Sequence, residues 1–241
     1  LLIGQIYVAL GDYAEAVEPL SVFLRYVPND LAALRVLAQA YQEIGQTERA
    51  IQLFDRAIEM DNEAWELRYA RGVLRLAEGD PNAALNDLVT ANALNPNNFD
   101  INIALGQAFM AQESYGPAFL RFDGSESFAR TDEQLAIVYY HRALALEAIA
   151  DSSSLAAAER DWNDLLALPE EAVPAEWRET AEEHLLILNP PTPTPTLTPT
   201  ITLTPTRTST PTRTPTSTLT PTNTQTPSST PTLTPTITPT P

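Results

Sequence analysis

Residues 31–64 read LAALRVLAQAYQEIGQTERAIQLFDRAIEMDNEA, and the spacing of their apolar side chains decides the fold. Leu31, Leu34, Leu37, Ala38 and Tyr41 recur at the period of one face of a helix. Gly45 interrupts the pattern, and Ala50, Leu53, Phe54, Ala57 and Ile58 resume it. The stretch therefore predicts a helix, a tight turn and a second helix.

Moving outward, the same unit returns every 34 residues. One period on, Trp65 to Ala77 is closed by Gly79, Asp80 and Pro81, and Ala84 to Leu94 is closed by Asn95 and Pro96. Proline near a helix start or just past its end is where a missing N–H and a fixed φ do least harm. Small residues fall at equivalent places: Gly4, Ala38, Gly72 and Gly106 in the first helices, Ala16, Ala50, Ala84 and Ala118 in the second. Such side chains let paired helices approach closely. A fixed period in this range predicts one stacked solenoid whose function is a binding surface.

The pattern resembles the tetratricopeptide repeat, whose motif has a bulky residue, Leu-Gly and Tyr in the first helix, Ala, an aromatic and Ala in the second, and Pro near the end. Residues 1–30 carry Gly4, Tyr7, Gly11, Tyr13, Ala16, Leu20 and Pro28, and residues 31–64 carry Leu37, Ala38, Tyr41, Gly45, Ala50, Phe54 and Ala57. Residues 65–98 keep Gly72, Gly79, Ala84, Leu88, Ala91 and Pro96 but have Arg71 and Arg75 where Leu and Tyr are usual. Residues 99–132 keep Leu105, Gly106, Phe109, Tyr115, Ala118 and Phe122, and there Asp123-Gly124-Ser125 predicts a kink or early stop in the second helix. A fifth pair is expected over 133–169, with Thr131 to Gln134 as a capping box and Asp151 to Ser154 capping its second helix. In that pair Tyr140 stands where the family has Gly or Ala. A terminal helix over 174–189 sets Trp177, Ala181, Leu185 and Leu188 on one face and Glu176, Glu179, Glu182 and Glu183 elsewhere, as a solenoid end requires. The expected fold is all-α: a right-handed α-solenoid over 1–189, followed by a disordered or polyproline II tail over 190–241.

In that tail threonine occupies every even position from Thr192 to Thr240 except Ser228, and proline holds half of the odd positions, with Leu, Ile, Arg, Ser, Asn and Gln at the others. Proline removes ladder donors, so the period of two predicts an extended chain and not a strand. At about 3.1 Å per residue it would span on the order of 160 Å. It reads as a semi-rigid spacer or a glycosylated stalk.

Composition narrows the function. The tail holds no acidic residue and only Arg207 and Arg213, so the chain's net charge of −17 becomes −19 for the solenoid. Nucleic acid and anionic membrane are repelled by such a surface. Lysine and cysteine are both absent, which removes P-loop and Schiff-base lysines, thiol nucleophiles, Cys-based metal sites and disulfides. The two histidines, His141 and His184, have no metal-site spacing around them, and His184 near a helix end reads as solvated or dipole-compensating. No catalytic, cofactor-binding or metal-binding set is expected, and the chain is read as a non-enzyme.

The tetratricopeptide resemblance implies that the first helices line a concave groove presenting Gln5 and Val8, then Arg35, Gln39 and Gln42, then Tyr69, Val73 and Leu76, then Ile103, Gln107 and Met110, and finally Ile137, His141 and Leu144. Family members that grip a peptide's C-terminal carboxylate use basic residues and asparagine where this chain has Gln5, Val36, Glu66 and Ala70, so that clamp is not expected. The expected ligand is an extended or helical apolar segment of a partner protein, on the strength of Val73, Leu76, Ile103 and Met110. No run of about 18 apolar residues occurs, so direct membrane insertion is not expected. The chain opens at Leu1 inside a first helix and stops at Pro241 in mid-pattern, as the interior of a longer reading frame would. By analogy with Thr/Pro linkers of exported bacterial envelope proteins, an extracytoplasmic location is expected, with the cytoplasm as the alternative; the alternative function is a sensory or adaptor module of a larger receptor, kinase or assembly protein.

Overall fold

The computed structural model describes residues 1–190, and the tail expectation falls on residues outside it from 191 onward. The described chain is a row of antiparallel helix pairs: α1 (Leu2–Leu10) with α2 (Tyr13–Tyr26), α3 (Leu31–Glu43) with α4 (Thr47–Met60), and α5 (Trp65–Ala77) with α6 (Pro81–Leu94). The row continues as α7 (Phe99–Ala111) with α8 (Tyr115–Glu126), and α9 (Asp132–Ile149) with α10 (Ser152–Ala167). After a 3-10 turn at Glu170–Ala172, α11 (Ala175–Leu188) closes the row on α10. Each helix packs on its pair mate and on the nearest helix of the next pair, which makes a solenoid.

Local chemistry starts and stops these helices where the sequence implies. The Asp30, Asp80 and Asn98 side chains accept the N–H groups of Ala33, Ala83 and Ile101 at 2.8, 2.9 and 3.0 Å, satisfying donors that a helix start leaves unpaired. Thr131 Oγ1 accepts the Gln134 N–H at 3.3 Å, and Gln134 Oε1 reaches back one residue further than a standard capping box, to the Arg130 N–H at 2.8 Å. Within pairs, Gly11, Gly45 and Gly79 make the turn at φ of 83, 73 and 80°. The fourth pair has Glu113 there, at φ 57°. Helix α8 runs through Asp123-Gly124-Ser125 without a break, though at 12 residues it is shorter than the 14 of α4 and α6.

The close approach expected from the small residues is present in each of the first four pairs. A Cβ on Gly72 would stand 2.8 Å from Leu88 Cγ, and one on Gly4 or Gly106 would overlap the Leu20 or Phe122 side chain outright. The alanines Ala16, Ala50, Ala84 and Ala118 have no solvent exposure. In the fifth pair Tyr140 is not the contact residue. Ala143, three residues later, is fully buried in one cluster with Trp162, and the residues immediately before them, Arg142 and Asp161, are joined by two hydrogen bonds of 2.9 and 2.8 Å. Helix α9 has 18 residues where α3, α5 and α7 have 13, and the extra length carries the small-residue position along the helix.

The two arginines that depart from the family motif belong to a half-buried brace centred on the buried Asp87. Arg71 donates to both carboxylate oxygens of Asp87 at 2.8 and 2.5 Å and to Asp55 at 2.5 Å, so α5 is tied forward to α6 and back to α4. Arg75 adds a bond to Asp87 at 2.9 Å. The arrangement recurs two pairs on, where Arg142 of α9 joins Asp161 of α10 to Asp123 and Glu126 of α8. Each arginine directly precedes its helix's small residue, and each forward aspartate directly precedes the bulky one: Arg71-Gly72 with Asp87-Leu88, Arg142-Ala143 with Asp161-Trp162. Burial pulls the Arg142 pKa down, but the bonds to Asp161 and Glu126 outweigh it and raise the pKa overall, so the guanidinium stays charged.

Two outcomes follow for stability. Asp87→Ala strands two arginines beside a buried position and lowers the unfolding free energy by about 3–5 kcal/mol in urea titrations, whereas Arg71→Leu combined with Asp87→Leu, the residues of the preceding repeat, loses far less. Glu113→Gly relieves a left-handed backbone position and raises stability by about 0.5–1 kcal/mol in the same titration.

Candidate functional site

A first helix of each repeat has its pair mate on one side and the preceding second helix on another, which leaves one stripe facing the inside of the row. Along α1, α3 and α5 that stripe borders an open cleft of about 470 Å³. Its walls carry Gln5 from α1, Arg35, Gln39, Gln42 and Glu43 from α3, and Glu66 from α5, with Val36, Leu67 and Phe54 among its apolar parts. Arg35, Gln39 and Gln42 follow one another at helical spacing, which brings a guanidinium and two amides to one side. Gln5, Val36, Glu66 and Ala70, at the positions of the family's carboxylate clamp, line the same cleft. With two carboxylates and one guanidinium on its walls, the cleft offers amide donors and acceptors rather than a concentrated positive charge.

The remaining sequence-predicted residues fall elsewhere. Tyr69, Val73 and Leu76 are half-buried and pack on the cluster built by Leu88, Ile101, Leu105 and Ala108. Burial, aided by the Asp100 charge, raises the Tyr69 phenol pKa above its ordinary value. Ile103 is 7% exposed and sits in a cluster with Phe99, Phe122 and Val138, against which Met110 and Ile137 pack. These apolar residues serve contacts between neighbouring repeats, while the open cleft is mainly polar.

Gln107 and His141, one repeat apart, meet at 3.1 Å between the Gln107 amide nitrogen and the His141 Nε2. The His141 ring stacks on Phe122, with centroids 5.4 Å apart, and meets Trp177 of α11 edge-on at 6.0 Å. Trp177 in turn stacks on Tyr140 at 4.4 Å. Burial pushes the His141 pKa down to about 4, so the ring is neutral near pH 7 and its Nε2 accepts from Gln107. His184 is not a solvated end-of-helix cation, because its Nδ1 lies 2.6 Å from Glu147 of α9, which also accepts the Trp162 indole N–H at 2.6 Å. Trp177 was legible as part of the terminal helix's apolar face; its place beside His141 was not, since no local period relates residues 36 positions apart.

Among the described residues no group of three or more His, Cys, Asp or Glu is placed to hold a metal ion. No described helix is both long and apolar enough to cross a membrane.

Residues 1–64 and 69–121 match the family described as tetratricopeptide repeat. No curated protein sequence matches the chain. Among solved structures, MamA from Desulfovibrio magneticus superposes with a TM-score of 0.63 at 20% identity, over 69% of this chain and 90% of that one. A tetratricopeptide repeat protein from Parabacteroides merdae gives 0.60 at 20% identity, over 76% and 68%. A thermophilic tetratricopeptide repeat protein from Thermus thermophilus gives 0.56 at 18% identity, over 77% and 97%. At these identities the likeness is one of fold.

Gln107→Leu leaves a buried ring nitrogen without a partner and lowers stability by about 1–2 kcal/mol, measured by thermal or urea unfolding.

Proposed function

We propose that this chain, whose residues 1–64 and 69–121 match the tetratricopeptide repeat family, is a non-enzymatic scaffold whose inner cleft holds a segment of a partner protein. The observation that carries the reading is the polar cleft across α1, α3 and α5, open to solvent while the apolar residues further along the same stripe are engaged between repeats. An extended segment has unpaired backbone N–H and C=O groups at regular intervals. Gln5, Gln39 and Gln42 can both donate to and accept from such a backbone, and Val36 and Leu67 offer apolar contact to its side chains. The occupant is therefore an extended polypeptide held mainly through main-chain groups, in place of the extended or helical apolar segment suggested by Val73, Leu76, Ile103 and Met110. The solenoid's net charge of −19 favours a partner with a basic surface around that segment, which would speed encounter.

We place the scaffold outside the cytoplasm, carried on the Thr/Pro segment as a stalk. The support is the threonine- and proline-rich period of two over residues 192–240, which suits the linker of an exported protein.

The test is capture of peptides from a library of unstructured segments by residues 1–241, compared with Gln39→Leu and Gln42→Leu together. Loss of about tenfold in affinity, with the circular dichroism spectrum unchanged, is the expected result, since removal of two main-chain partners costs about 1–2 kcal/mol. Peptides that bind both proteins equally would place the recognition surface elsewhere.

A further inference from the structure

The connector between α8 and α9 differs from its counterparts earlier in the row. Residues 27–30, 61–64 and 95–98 each join a second helix to the next first helix in four residues, whereas 127–131 uses five. Between this longer connector and 95–98 lies a cavity of about 450 Å³. It shares no residue with the inner cleft of α1, α3 and α5. Its size falls within the roughly 300–1,000 Å³ of small-molecule pockets. We propose that this cavity is a binding site for a free apolar α-amino acid, whose carboxylate is held by Arg130 and whose ammonium is held by Asp100.

The walls are set before any ligand arrives. Asn98 Oδ1 accepts the Ile101 N–H at 3.0 Å and Gln134 Oε1 accepts the Arg130 N–H at 2.8 Å. Each of these cavity-lining amides is therefore fixed through its oxygen and keeps its NH2 group free to donate. The buried Asn102 amide donates to the Pro96 and Asn98 carbonyl oxygens at 3.1 and 2.9 Å, which holds the 95–98 connector in shape. Phe99 and Phe128 line the cavity and are anchored in the apolar cluster shared by α7, α8 and α9. Groups fixed in this way lose little freedom when a ligand binds.

Two opposite charges complete the lining. The Arg130 guanidinium and the Asp100 carboxylate are both exposed, and among the described residues neither is joined to the other or to any other group in an ion pair. A simple anion is opposed by Asp100 and by the solenoid's net negative charge, and a simple cation by Arg130. An uncharged molecule leaves both charges to lose water without gaining a partner. An α-amino acid carries its carboxylate and ammonium on one carbon and answers both. The NH2 groups of Asn98 and Gln134 add donors for the carboxylate, and Phe99 and Phe128 offer apolar contact to the side chain.

The test is isothermal titration calorimetry of the whole chain with L-leucine, L-methionine and L-phenylalanine. The N-acetyl and carboxamide derivatives of whichever binds best are then titrated, the first lacking the ammonium and the second the carboxylate. Saturable binding of a free amino acid is expected, with both derivatives about tenfold weaker or worse. Arg130→Gln and Asp100→Asn each lower the affinity for the free amino acid by about tenfold, with the circular dichroism spectrum unchanged. Asp100→Asn does not weaken the N-acetyl form further, and Arg130→Gln does not weaken the carboxamide form further, because the group each variant would have held is already missing. Gln39→Leu with Gln42→Leu changes none of these affinities, so the cavity and the inner cleft are tested separately. The proposal is overturned if none of the three amino acids binds at millimolar concentration, if the derivatives bind as well as the free form, or if either variant keeps the unaltered affinity.

Discussion

The solenoid depends on one close approach per repeat, where the first helix offers almost no side chain and the second offers a bulky one. Gly4 meets Leu20, Gly72 meets Leu88 and Gly106 meets Phe122, each with no room for a β-carbon to be added. That contact fixes how near the two helices lie, and so fixes which of their other faces remain for the neighbouring pair. Glycine in a helix interior costs about 1 kcal/mol relative to alanine, so it stands there because the packing contact outweighs the propensity.

Charge is organised around the same contact. In the third and fifth repeats the residue before the small one is an arginine and the residue before the bulky one an aspartate, and the pair crosses between helices at the depth of the core. An aspartate from the preceding second helix, Asp55 or Asp123, completes the bridge. Such pairs add little net stability compared with leucines, because desolvation consumes most of the attraction. Their effect is on register. An arginine that must reach carboxylates on both sides holds three helices in one alignment, and a slip of either neighbour strands a buried charge.

These packing demands also divide the inner surface. Toward the C-terminal end, large side chains such as Phe109, Met110, Ile137 and Tyr140 fill the inner stripe and tie repeats together. Toward the N-terminal end the stripe is built from glutamines, one arginine and small apolar residues, and a cleft stays open. The α11 end is closed by rings: Trp177 on Tyr140, His184 beside Trp162, with Glu147 bonded to both His184 and Trp162.

The sequence by itself determined the helix pairs, their period and their turns, because these rest on local rules: apolar spacing, side-chain caps, and glycine where φ is positive. It also marked Arg71 and Arg75 as departures and set Trp177, Ala181, Leu185 and Leu188 on one face of the last helix. The tertiary structure alone decided what those departures mean. Arg71 is explained by aspartates sixteen residues away on either side, and Ala143 replaces Tyr140 at the helix contact because α9 is longer than its counterparts. The candidate site divides along the same line. Arg35, Gln39 and Gln42 were legible as inner-face residues from helical spacing and the family pattern, and they line the cleft. Val73, Leu76, Ile103 and Met110 share that register, yet they pack between repeats. Periodicity specifies the direction in which a side chain points, whereas its exposure depends on how closely the next helix approaches, a distance set by residues on other helices, such as Leu88 and Leu105 for Val73.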